Sequence, residues 1–449
     1  MESSRGRDLV YALLEILSGR RSRRFGLGMT MQAGPLAYTS GKPGLPLSEE
    51  EEALLAFAAC GITGYALADL AYERGQGGTM MASFLGRTIP SGDALHTVAL
   101  IVMNAHATYY MKRPQDFAVE EYDALVQLVK QEAYVDLYRC SRVRIRDGSA
   151  KPPAAPPFNL NVNQWSLYDA AATYFLPVNE LTFMYINGLL ECFNETTNYF
   201  VLDERAGYHP AGIARFGRSK GGHLMDDPRE NRVVTVQQLE SLVDEFVTVE
   251  QGLMIQNLAL MSHALGLGGF PHWAAHPYAW FQALGFRMSE MKATQFLGMN
   301  RFQRVMGKLL GRDQPVPYVI GLEHDGATLL KPFCPPYYPS MEAAVRAVVE
   351  LKFGPQGVFR EGATPGAWLH PASIAKASPK LSECAIEATI AYCEYIYHRY
   401  GRFPAYHSPL KTSLGFQVNH LDMEFYDRYY RPEALTRTQR EHFKNWHER

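Results

Sequence analysis

The segment Ser18-Gly19-Arg20-Arg21-Ser22-Arg23-Arg24-Phe25 gathers four arginines around Ser22 in one short stretch. Guanidinium forks bind phosphate oxygens in pairs, and a serine hydroxyl adds a neutral donor. A phosphate-bearing ligand is the chemistry this set serves. The same residues also suit a solvated basic turn behind a helix, where the helix dipole favours cations. Other candidate groups are weaker. His263, His272 and His276 surround Gly266-Leu267-Gly268-Gly269, but their spacing matches no closed zinc site. Glu394 and His398 are four apart and share a helix face, and His420 follows in the tail. The paired Glu-x-x-His repeats of a carboxylate-bridged metal site are absent. The expectation is an i,i+4 Glu–His pair, a satisfied buried His420 and no metal site. Tyr109, Tyr110 and Lys112 offer acid–base groups or, equally, hairpin packing.

The elements that must position these residues are legible from periodicity. Leu9, Leu13, Ile16 and Leu17 have helical spacing, and Gly19 ends that helix just before the arginines. Ser48 precedes Glu49–Glu52 and an apolar run. Ser48 is therefore the expected N-cap and Glu51 the capping-box partner of a helix to about Cys60, stopped by Gly61. Thr97–Met103 reads as a buried strand and Thr108–Met111 as its hairpin partner. Helical spacing returns at Val119–Gln131, near Asn179–Phe193, from Thr235 to Leu265, at Met341–Leu351 and at Ser382–Tyr400. The longest of these ends in a glycine cluster. Pro317–Leu322 is a short apolar strand, and Lys151–Pro157 is a proline-rich break.

Composition bounds the classes. The 449 residues are 47% hydrophobic and 20% charged, which suits a globular protein with two or three structural units. Net charge is −2, so no broad nucleic-acid surface is expected, although a local basic site is compatible. The six cysteines form no CxxC pair, so reduced, mostly buried thiols are expected. The run Leu9–Leu17 carries Glu15 and is too short for a signal peptide, and no apolar run is long enough to span a membrane. A cytoplasmic location and no membrane partner follow as expectations.

The order of these signals resembles the FMN-dependent nitroreductase superfamily. It is most similar to the branch of peptide thiazole- and oxazole-forming dehydrogenases. The residues that carry the resemblance are Arg20–Phe25, then Arg87-Thr88-Ile89-Pro90-Ser91-Gly92-Asp93-Ala94-Leu95-His96, then Gly266-Leu267-Gly268-Gly269-Phe270-Pro271. They span roughly 5–110 and 235–325. Gly92-Asp93 stands where that branch has Ala-Gly, and Thr97 replaces a proline. The resemblance implies an α+β fold, a central mainly antiparallel sheet flanked by helices, with FMN held at a homodimer interface. Arg20, Arg21, Ser22 and Arg24 would hold the FMN phosphate and ribityl chain. Pro90, Ser91 and Gly92 would reach the ring from the partner subunit. Gly268, Gly269 and Pro271 would pass its other side, with His272-Trp273 near the ring edge. Lys331 is the candidate for a second basic residue at the phosphate.

The expected organisation is a core over 1–150 and 233–334, an insertion or lid over 151–232, and a mostly helical extension over 335–449. The expected function is oxidoreduction of a small organic or peptide-derived substrate at flavin N5, with NAD(P)H a candidate electron donor. Two alternatives stay open: a flavin-free descendant of the same fold acting as a binding or scaffold protein, and a carboxylate/histidine metalloenzyme using the C-terminal half.

Overall fold

A computed structural model gives the fold. It describes residues 2–70, 81–153, 158, 161–167, 169–273, 277–360 and 366–448, the side chains of 2–5, 273 and 277 excepted. Part of the proline-rich break, 154–157, lies outside the described residues.

The main sheet is built from β1 (Val98–Met103), β2 (Ala107–Met111), β3 (Arg142–Asp147), β4 (Thr173–Glu180), β5 (Gly268–Trp273), β9 (Leu410–Lys411) and β10 (Leu414–Asn419). Its order is β5-β10-β4-β1-β2-β3, with β9 beside β4. Every pairing in it is antiparallel. The central strand β1 reads Val-Ala-Leu-Ile-Val-Met and is buried throughout. Successive side chains leave a strand on opposite faces. Val98, Leu100 and Val102 accordingly join one core, and Ala99, Ile101 and Met103 the other.

The first core is closed by α2 (Glu49–Cys60) and α5 (Val236–Leu265), through Ala53, Leu55, Ala56, Met254, Ile255 and Leu258. The second is closed by Trp280, Phe281, Val319 and Leu322. Two of these come from a separate antiparallel sheet of β6 (Arg287–Lys292), β7 (Pro315–His324) and β8 (Ala327–Leu330). A third core joins α4 (Thr182–Cys192), α7 (Met341–Phe353) and α8 (Glu383–Tyr400).

The domain expectation needs correction. The span 151–232 supplies β4, a central strand, and 335–449 supplies β9 and β10. Neither segment is peripheral to the sheet. Strand β7, expected in the core sheet, forms the separate one instead. The thiol expectation also changes. Cys334 and Cys393 are buried, but Cys140 and Cys384 are exposed.

The capping signals hold. Ser48 Oγ accepts from Glu51 N at 3.2 Å, and Glu51 Oε2 accepts from Ser48 N at 2.7 Å. Ser48→Ala removes one of these bonds. It is expected to cost about 1 kcal/mol, read as a lower urea midpoint at unchanged slope. Helix α5 has 30 residues and runs about 45 Å. It starts at a Thr235/Gln238 capping box and ends at Gly266, whose φ of 83° is left-handed. A Cβ on Gly266 would stand 2.3 Å from Thr438 O, so both conformation and space demand glycine. Among the described residues no helix is long and apolar enough to cross a membrane.

Candidate functional site

Helix α1 (Glu2–Gly19) delivers the arginine segment to the C-terminal end of α5. A Cβ on Gly19 would lie 2.7 Å from His263 Nε2, which explains glycine at the exit. The segment then runs beside β5: Arg23 bridges Gly269 in antiparallel register, and Gly26 bridges Leu421. The structure therefore joins two of the three predicted motifs, Arg20–Arg24 and Gly268–Pro271.

Their side chains divide the work. Arg23, which the resemblance leaves without a role, is the buried one. Its Nε donates to Ala434 O at 2.9 Å and its Nη1 to Arg21 O at 3.4 Å. It fastens the C-terminal tail. Arg24 donates to Asn163 Oδ1 at 2.8 Å, and its guanidinium lies 4.7 Å from the Phe270 ring centre. Arg21 turns back to Arg20 O at 2.7 Å and Ser18 O at 3.1 Å. Arg21 and Ser22 are exposed, and Arg20 and Arg24 are half-buried.

Among the described residues none of these four arginines pairs with a carboxylate, although surface arginines elsewhere do. Buried His263 lies among them. Its imidazole is pushed down to about 4 by burial and by the charges of Arg23, Arg20 and Arg21. It stays neutral at pH 7, and its Nδ1 has no hydrogen-bond partner among the described residues. An uncompensated cluster of guanidinium groups around a buried, orphaned nitrogen can receive an anion such as phosphate.

The third motif stands elsewhere. Pro90 and Gly92 are exposed and Ser91 half-buried. Ser91 Oγ accepts from His96 N at 2.8 Å. Asp93, Ala94 and His96 have φ of 52°, 53° and 47°, with Leu95 between them right-handed, and Ala94 is the one for which positive φ is unusual. Asp93 faces Lys352 rather than the arginines, and burial raises its carboxyl.

Several expectations are corrected. The Cβ directions of Gly268 and Gly269 meet Leu421 at 2.5 Å and Ser262 at 2.7 Å. These glycines admit the chain's own segments, and only exposed Pro271 faces outward. His272 is an interior residue, with its ring among those of Tyr174, Phe270 and Trp280. The Trp273 side chain and His276 lie outside the described residues. Lys331 lies over the Tyr338 ring at 5.0 Å and lines a different cleft, of about 1020 Å³, with Arg113, Phe117, Phe183 and Glu350. It is not part of the arginine cluster.

Tyr110 is no acid–base group. Burial pushes its hydroxyl well above the usual range, and it donates to Asp116 at 2.6 Å. Tyr109 packs under Arg142, and the Lys112 ammonium lies over the Phe117 ring. Glu394 and His398 do pair, at 3.0 Å. The potential metal ligands that converge are others: Glu51, His420, His442 and His447. Sequence reading gave Glu51 a capping role only and did not single out His442 or His447.

No protein-family model matches the chain, and no curated protein matches it. Among solved structures the chain is similar to a "putative nitroreductase" from Ralstonia eutropha JMP134. The two share 12% identity with a TM-score of 0.27, over 61% of this chain and 76% of that one.

Proposed function

We propose that this protein is an FMN-dependent oxidoreductase of nitroreductase type, working as a homodimer on a small organic or peptide-derived substrate. One observation carries the reading: a cluster of carboxylate-free arginines seated where a long helix ends and a glycine-bearing strand begins. Arg20, Arg21, Ser22 and Arg24 would hold the phosphate. The orphaned His263 Nδ1 and guanidinium groups without a carboxylate partner among the described residues fit such a group. Bound flavin supplies hydride transfer at N5, and the protein's part is to hold and orient it. Pro90, Ser91, Gly92 and Pro271 keep their ring-side roles from the sequence resemblance alone. NAD(P)H is a candidate electron donor if the enzyme works as a reductase; as a dehydrogenase it would take the hydride from its substrate.

The dimer has support in two exposed apolar stripes. Leu242, Phe246 and Val249 line α5 and are 50–59% exposed. Leu9, Leu13 and Leu17 line α1 and are 43–67% exposed. Stripes of this spacing bury apolar area when a second helical surface covers them.

The test is the visible absorption spectrum of the purified protein, with identification of any released cofactor. Flavin bands and about one FMN per chain are expected, since the phosphate site is built from a single chain. A colourless protein that takes up no added FMN ends this reading.

A further inference from the structure

Glu51 is the third residue of α2, held by its capping box. Its Oε2 is occupied by Ser48 N, which turns Oε1 toward the C-terminal tail. Three imidazoles meet that oxygen. His420 Nε2, His442 Nε2 and His447 Nε2 each stand 3.2 Å from Glu51 Oε1. The four atoms all lie within 4.8 Å of one another. His420 follows β10, while His442 and His447 lie on and just beyond α10 (His442–Trp446).

The far side of two rings fixes their hydrogens. His420 Nδ1 lies 2.8 Å from Leu45 O, and His442 Nδ1 lies 2.7 Å from Leu265 O. A carbonyl oxygen only accepts, so both Nδ1 atoms carry the hydrogen. In the neutral rings each Nε2 is then a lone pair, facing a carboxylate that also offers only lone pairs. At these two rings acceptors face an acceptor, and His447 is the one ring whose tautomer leaves it free to donate to Oε1.

His442 adds a second observation. Its Nε2 is buried, 3.2 Å from the carboxylate oxygen, yet makes no hydrogen bond to it. That nitrogen is near the oxygen without being aimed at it. Ligands of one ion behave this way, because each lone pair points at the centre and not at its neighbour.

The dimensions agree. A tetrahedron with bonds of about 2.0–2.1 Å has edges of about 3.3 Å, against the observed 3.2 Å from Oε1 to each nitrogen. Imidazoles on one such ion stand with centres about 5 Å apart. The three ring separations are 5.1, 5.1 and 5.3 Å.

We infer that Glu51, His420, His442 and His447 form a tetrahedral site for a divalent transition-metal ion, zinc by its ligand set. Nitrogen and carboxylate ligands in this geometry suit Zn²⁺. Four protein ligands close the coordination sphere, so the ion is structural. The carbonyls of Leu45 and Leu265 and the Ser48 N–H orient the ligands from behind, as outer-shell partners do. The ion would clasp the tail to α2, to the end of β10 and to the C-terminus of α5. This revises the expectation of no metal.

The test uses the full chain. Metal analysis of protein purified without chelator is expected to show about one zinc per chain. Chelator-stripped protein given Zn²⁺ alone should melt several degrees higher. Co²⁺ in place of Zn²⁺ should give the intense visible bands of a tetrahedral ion, read as a difference spectrum so that any flavin absorption cancels. His447→Ala alters the least buried ligand and should weaken Zn²⁺ binding more than about 100-fold. Glu51→Gln, which keeps an oxygen for Ser48 N, should do the same. The inference fails if stripped protein shows neither a Zn²⁺-dependent melting shift nor a tetrahedral Co²⁺ spectrum. It also fails if both variants bind Zn²⁺ like the parent.

Discussion

Replacing Arg20 and Arg24 together by alanine is expected to weaken FMN binding about 10²–10⁴-fold. Each guanidinium would donate charge-assisted hydrogen bonds to the phosphate, worth roughly 1.5–3 kcal/mol apiece. The variant should fold. Arg20 has no carboxylate partner among the described residues, and Arg24 gives up one bond to Asn163 and its place over Phe270. Arg24→Lys is the informative companion, since it keeps the charge and loses the planar fork. An intermediate loss, deepening with added salt, would mark a phosphate contact. Arg23→Ala should behave differently: it releases Ala434 and lowers stability, because that side chain is already spent on the tail. If the double variant copurifies with as much FMN as the parent, the phosphate assignment is wrong.

Local signals in this chain were legible because one stretch of sequence contains their whole cause. The Ser48/Glu51 box, the Thr235 start of α5 and its Gly266 stop each depend on residues within a turn of one another. Strand β1 was legible because both of its faces are apolar. Strand β4 carries the same mark in Thr173–Val178, but it lies inside a segment rich in Asn and Gly that suggested an insertion. Strand β10 has polar Gln417 and Asn419 at buried positions and did not read as a sheet strand.

The site was legible in its first half only. Four arginines within five positions announce a charge cluster, but not which of them the fold consumes. Arg23 is used up because Ala434, far away in sequence, offers a carbonyl to a buried guanidinium. The histidine cluster was illegible for the same reason. Its ligands come from positions 51, 420, 442 and 447, with no short spacing between the first two. Glu51 also announced a complete local role. One of its oxygens fulfils that role and the other faces the tail. These two features share a part. The tail that Arg23 holds through Ala434 is the tail that the proposed ion would clasp. Loss of the metal should therefore loosen the arginine segment as well.

Stability should fall as pH rises from about 5 to 8, and Glu240 is the reason. Its carboxyl is fully buried on α5 and accepts from Ala405 N at 2.7 Å and Tyr406 N at 2.6 Å. Burial pushes it up from 4.5 to about 8, against those two bonds and the charges of Arg402 and Arg205, and Glu204 adds to the rise. Tyr185 and Tyr392 also face it, and both hydroxyls stay neutral over this range. Between the two values the folded chain holds a proton that the unfolded chain has released. Stability is therefore complete below the unfolded value and declines as pH climbs through the folded one. Full ionisation is worth on the order of 4–5 kcal/mol. Glu240→Gln removes the titration and keeps one of the two accepting oxygens, so it costs one backbone hydrogen bond at every pH. Urea unfolding at a series of pH values should show the parent's decline flattened in the variant. The same slope in both proteins would assign the decline to another group. The effect should reach the third core, because Glu240 ties α5 to the segment after α8 and so holds Phe403 and Ala405 against Tyr185 and Tyr392.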